Sequence, residues 1–111
     1  MTIASPFRPK RGGNQKQTAT TTSASYTIGM GEKSVRFLNA GSVVVYVRTG
    51  RIGASYDGAT IVATNADTPV GPASSASSCI VIEKPPEHDT VAILADSTTS
   101  VVNFQPGEGG M

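Results

Sequence analysis

The only histidine of the chain, His88, stands between Glu87 and Asp89, a triplet that could act as a general base or as metal ligands. It falls in the proline-marked turn Lys84-Pro85-Pro86-Glu87-His88-Asp89, and no Ser or Cys stands in a nucleophile motif to complete a catalytic set. An ordinary exposed loop histidine is the favoured reading. The only cysteine, Cys79, would need a nearby cation or a helix end to become a reactive thiolate. No helix is expected to provide one, so a structural or partly buried thiol is favoured. Asp57, Asp67 and Asp96 belong to three separate loops, where oxygen-rich clusters can hold calcium, but no DxDxDG spacing occurs. The glycines form neither GxGxxG nor a P-loop. No catalytic residue, metal or cofactor is therefore assigned, and an enzyme is disfavoured.

The basic residues carry more information. Four of the nine bases, Arg8, Lys10, Arg11 and Lys16, lie in the first 17 residues, and no acid precedes Glu32. Five bases against eight acids remain, so a segment of +4 precedes a body of −3 although the net charge is +1. Two prolines, a glycine pair and only Ile3 and Phe7 as large apolar anchors describe an extended arm, flexible in isolation. Seventeen extended residues reach up to about 55–60 Å. Such an arm could follow a phosphate backbone, lie across an acidic protein neighbour, or remain a solvated tail. The absence of interleaved aromatics and the acidic body favour the protein neighbour over nucleic acid.

The elements that would position these residues are strands. At 111 residues the chain is expected to form one folded body, and a lone cysteine excludes an internal disulfide framework. No apolar run approaches the roughly eighteen residues of a membrane span, and no signal-peptide h-region is apparent, so synthesis in the cytoplasm is expected. The organising stretch is Lys33 to Arg48. In it Val35 and Phe37, then Val43, Val45 and Val47, alternate with other residues at the period of a strand. Asn39-Ala40-Gly41-Ser42 between them predicts a β-hairpin turn, because Asn and Gly tolerate positive φ. A strand over 26–30, joined by a Gly31-Glu32 turn, would make a three-stranded antiparallel meander.

Further strands are expected at 59–63, 78–83, 90–95 and 100–105. Glycine-rich and long loops cover 49–58 and 64–77, and Pro106 onward terminates the sheet. About seven short strands without a helix predict an all-β sandwich or barrel. Jelly-roll, immunoglobulin-like and partly open barrel connectivities all remain open. Residues 1–25 are expected as arm and linker, and 26–111 as the β-sandwich domain. The expected core is Ile28, Val35, Phe37, Val43, Val45, Val47, Ile61, Ile80, Ile82, Val91, Ile93, Val102 and Phe104.

Three segments carry a resemblance: Val35, Arg36, Asn39 and Gly41; then Ala66, Asp67, Pro69 and Val70; then Pro106 to Gly109. Together they resemble small virion-associated proteins of tailed bacteriophages, whose chains run from a V-R-x-x-N-x-G hairpin through an A-D-x-P-V loop to a closing P-G-E-G. Within that group, size and architecture are similar to head cement, or decoration, proteins such as the staples of epsilon15-like short-tailed phages. The match covers about residues 26 to 110 and leaves the arm outside it.

The resemblance implies a jelly-roll-like β-sandwich on the outer surface of an icosahedral head. It would be made in the host cytoplasm, bridge neighbouring major-capsid-protein subunits and act as a dimer or in many copies, with no membrane and no direct nucleic-acid contact. The residues expected to grip the capsid are Phe7, Arg8, Lys10, Arg11 and Lys16 of the arm, and Asp67, Pro69 and Val70 of the long loop. Two alternatives stand beside it: a head–tail connector or tail component, and a β-sandwich ligand-binding module such as one for carbohydrate.

Overall fold

The computed structural model describes residues 7–53, 55, 56, 58 and 60–108, so Ile3, Asp57, Gly109 and Gly110 lie outside the described residues. Among the described residues nine strands form: β1 (Arg8–Pro9), β2 (Gln15–Ala19), β3 (Ala24–Thr27), β4 (Ser34–Asn39), β5 (Val45–Gly50), β6 (Thr68–Val70), β7 (Cys79–Glu83), β8 (Thr90–Ala95) and β9 (Ser100–Glu108). Their antiparallel pairing is nested, β5 with β6, β4 with β7, β3 with β8 and β2 with β9. The first half of the chain thus lies along the second as one long hairpin whose tip is residues 51–67. Rolling that hairpin up brings β4 against β9 and β5 against β8 as well.

Two sheets result. The first runs β2-β9-β4-β7, with β1 pairing beyond β2 on the same side of β9, and the second runs β3-β8-β5-β6. The protein is all-β, as its alternation implies, and its connectivity is consistent with a jelly roll.

The expected hairpin from Lys33 to Arg48 does not form. β4 belongs to the first sheet and β5 to the second, so Asn39-Ala40-Gly41-Ser42 is a corner between sheets. The meander with 26–30 fails for the same reason, since β3 pairs with β8. Period-two alternation says that each strand has one apolar face, but not that two neighbouring strands share a sheet. Facing the two sheets buries Val35 and Phe37 against Val45 and Val47, which a shared hairpin would not do.

The corner is held by a side chain. Asn39 is fully buried; its Nδ2 donates to Val43 O at 2.7 Å and Val70 O at 3.3 Å, and its Oδ1 accepts from Gly41 N at 3.0 Å. Neither Asn39 nor Gly41 adopts a positive φ. Gly41 is required by space instead, because a Cβ there would lie 2.7 Å from Ser100 Cβ and 2.8 Å from Ser100 Cα.

Three further expectations are corrected. Residues 60–63 form no strand; they lie extended over the outer face of the second sheet, with Ile61 and Ala63 buried against Ala92 and Leu94 and Val62 exposed. Their alternation reports one buried face without a ladder partner. β6 arises inside the expected 64–77 loop. β9 runs through Pro106 to Glu108, because Pro106 O accepts from Lys10 N at 2.8 Å where the chain turns between β1 and β2. In a strand a residue's N and O point the same way, so the missing N–H faces that turn and the β4 ladder stays intact.

Between the sheets lie Val35, Phe37, Val45, Val47, Val91, Ile93, Val102 and Phe104 as expected, joined by Ala19, Val70 and Ala95. Val43, Ile80 and Ile82 are only partly buried. The Phe104 ring sits 6.1 Å from Phe37 and 5.8 Å from Tyr26, both tilted, in the range where aromatic pairs add to area burial.

Candidate functional site

The basic segment is where the structure departs most from the expected free arm. From Phe7 onward it is stitched to β9: Arg8 pairs with Glu108, Pro9 with Gly107, and Gln15–Ala19 with Ser100–Phe104. Gln105 Nε2 donates to Lys10 O at 2.9 Å, and Gln15 Nε2 donates to Thr27 O at 2.7 Å. The boundary expected at residue 25 is therefore not a structural one. The composition reading missed that a polar segment can be ordered by a neighbour's backbone, which needs no apolar side chains.

Phe7 is partly buried, with the Arg36 guanidinium 5.3 Å from its ring centroid, and Arg36 Nη2 donates to Gln105 Oε1 at 3.1 Å. Gly107 permits this approach, since a Cβ there would lie 2.7 Å from Phe7 Cζ. Arg8, Lys10, Arg11 and Lys16 are all exposed and follow one another along this edge of the first sheet. Lys10 Nζ lies 3.4 Å from Glu32 Oε1. The four charges thus project from a sheet edge, fixed in order by the ladder beneath them.

The loop grips are placed elsewhere. Asp67 serves its own turn, its Oδ2 accepting from Thr64 N at 2.7 Å. Pro69 is exposed in the middle of β6, opposite Tyr46, at an edge of the second sheet. Val70 is fully buried in the core, so its side chain is not available to a partner. The structure does not gather the arm residues and the loop residues into one site.

Cys79 is exposed on β7, opposite Leu38, and not the partly buried thiol expected. No group of three or more His, Cys, Asp or Glu able to hold a metal occurs among the described residues. His88 is partly buried, with Nδ1 3.0 Å from Thr49 Oγ1. Beneath it, buried Lys84 donates from Nζ to His88 O at 2.8 Å. Burial holds the Lys84 ammonium below the usual lysine range, against the opposing pull of Glu32, Glu108, Glu87 and Asp89. Asp89 Oδ1 accepts from Ile52 N at 3.2 Å and from Thr90 Oγ1 at 3.0 Å. Burial works against ionisation of Asp89, but these hydrogen bonds and Arg51 outweigh it and hold the carboxyl below its ordinary value.

Arg51, Tyr56, Glu87 and His88 line an open cleft of about 430 Å³. The Arg51 guanidinium stacks 3.9 Å from the centroid of the Tyr56 ring. A second cleft of about 320 Å³ lies where 63–65 meet the outer face of the second sheet, beside Tyr46 and Asp96. There Tyr46 Oη donates to Asp96 Oδ1 at 3.3 Å, and desolvation followed by the Asp96 charge raises the phenol pKa.

Sequence reasoning found His88 and Glu87 but not Arg51 and Tyr56. The available signal was the loop Thr49 to Gly58, in which glycines bracket an arginine and a tyrosine. Compared with known proteins, the chain matches no family model and no curated protein.

Proposed function

We propose that this protein is a structural, non-enzymatic cement or decoration protein of a tailed-phage head. It binds the outer surface of the shell and bridges neighbouring major-capsid-protein subunits in many copies. The observation that supports this best is the row Arg8, Lys10, Arg11 and Lys16 on a rigid sheet edge, opposed in sign to the rest of the chain. Such a row suits an acidic protein surface and steers encounter with it. Because the row is already ordered by β9, binding loses less conformational entropy than an unstructured arm would. A packaged shell is pushed outward, and a protein that binds only the closed arrangement of subunits stabilises that arrangement by mass action.

This reading replaces the reaching arm with a fixed edge, and drops Val70 as a contact. Its test is saturation binding to heads stripped of accessory proteins. Hundreds of copies per head support a cement protein, whereas about six or twelve point to a connector or tail ring.

A further inference from the structure

Each sheet has two edges, and three of these four edges carry something that discourages a further strand. The β1–β2 edge of the first sheet projects Arg8, Lys10, Arg11 and Lys16. In the second sheet, Thr27 O of β3 already accepts from Gln15 Nε2. At the other end of that sheet, Asp96 N donates to Val44 O, so Tyr46 also turns its N and O to β8, and Pro69 opposite it faces away from β5. Proline has no N–H to offer there.

The fourth edge, β7, has no such device. It reads Cys79-Ile80-Val81-Ile82-Glu83, three β-branched residues in a row, paired one to one with β4. Ser78 O accepts from Asn39 N at 2.8 Å and Lys84 N donates to Lys33 O at 2.9 Å, which turns the N and O of Ser78, Ile80, Ile82 and Lys84 toward β4. Those of Cys79, Val81 and Glu83 point outward, and among the described residues none bonds to them. The surroundings are apolar. Ile80 and Ile82 lie half-buried at the rim of the core, and Val81 shares the outer face of the sheet with Leu38, which is 40% exposed.

The register of this strand with itself identifies what completes the edge. A second copy of β7, laid antiparallel across a two-fold axis at Val81, sets Val81 against Val81 of the partner subunit and Cys79 against Glu83 of the partner subunit. Every outward N–H and C=O is then used. The next register in one direction sets Glu83 against Ser77, whose O already accepts from Gly71 N, and in the other sets Cys79 against Pro85, which has no N–H. Around Val81, Ile80 falls opposite Ile82 of the partner subunit, and no like charges meet, since Glu83 faces a thiol. We infer that β7 is a dimer interface, through which two copies of this chain pair about Val81 and join their first sheets into one. The basic row lies at the far edge of the same sheet, so the inference neither needs nor excludes the capsid reading.

Sedimentation equilibrium of the full chain tests it. The parent chain should pass from monomer to dimer mass as its concentration rises toward about 1 mM. Val81→Pro removes an outward N–H without touching the β4 ladder, and Val81→Lys sets like charges across the axis. Each should weaken dimerisation about tenfold or more. Unchanged β8 and β9 amides in ¹⁵N spectra establish that each variant is folded. Cysteine placement reads the register. In a Cys79→Ser background, Val81→Cys should oxidise to a covalent dimer, because facing residues lie about 5.5 Å apart. The parent chain's Cys79 should not, since the two copies of it lie on opposite sides of the axis, roughly 14 Å apart. A chain that stays monomeric at about 1 mM, dimerisation undiminished in either folded Val81 variant, or faster cross-linking through Cys79 than through Val81→Cys overturns the inference.

Discussion

The hydroxyl of Ser100 donates a 2.6 Å hydrogen bond to Asn39 Oδ1, and both residues are buried. Asn39 ends β4 in the first sheet, and Ser100 begins β9 beside it. The other Asn39 bonds reach Val43 ahead of β5 and Val70 of β6, so one amide joins both sheets at a corner. Asn39→Ala would take a donor from the Val43 and Val70 carbonyls and an acceptor from the Gly41 N–H and the Ser100 hydroxyl. A loss of about 3 kcal/mol follows, read as a lower denaturant midpoint at unchanged m-value. Asn39→Asp should fare poorly as well, since it keeps the acceptor but removes the donor.

Gly41 offers a test of the same corner through space and not through φ. Gly41→Ala should destabilise by about 1–3 kcal/mol from overlap with Ser100. Because Ser100→Gly also removes the hydroxyl bonded to Asn39, it serves as its own reference: Gly41→Ala should cost less in the Ser100→Gly background than in the parent chain. An equal cost in both backgrounds would show that the overlap is not with the Ser100 side chain.

The segment over the second sheet separates two adjacent apolar residues. Ile61 is 2% exposed and Val62 is 50% exposed. Ile61→Ala should cost about 2 kcal/mol or more, while Val62→Ala should change stability by less than about 0.5 kcal/mol. Both values come from the same unfolding experiment.

Asp89 predicts an acid limb. Its folded pKa is lowered, so its ionised form contributes stability that is fully present above the unfolded value near 3.9. That contribution fades as pH falls through the lower folded value. Asp89→Asn should therefore be less stable than the parent chain at neutral pH, with the gap closing in acid. Unfolding curves collected from neutral to strongly acidic pH check this, and a gap that widens in acid would contradict it.

The alternation around Val35, Phe37, Val45 and Val47 made the strand class legible, and ten of the thirteen residues expected in the core are buried. Connectivity was not legible, because the short link Asn39 to Ser42 reads alike as a hairpin turn or a corner. What separates the two is the pairing of β4 with β9 and β7 and of β5 with β8 and β6, long-range facts that no local window contains. The segment from Phe7 to Ala19 was misjudged for a related reason, since its order comes from the backbone of β9 and not from its own composition. Of the cleft, His88 and Glu87 were visible as residue types. Arg51 and Tyr56 became part of it only through the hydrogen bonds that close Gly53 on Gly58.

The most direct test of the proposed function is co-sedimentation of the purified chain with mature phage heads stripped of accessory proteins, counting bound copies per head. A variant carrying Arg8→Glu, Lys10→Glu, Arg11→Glu and Lys16→Glu is run beside the parent chain, with its folding confirmed by thermal unfolding. The account predicts saturation at hundreds of copies for the parent chain and a large, salt-sensitive loss of affinity for the variant. No binding by the parent chain, saturation near a dozen copies, or equal binding by both would contradict it.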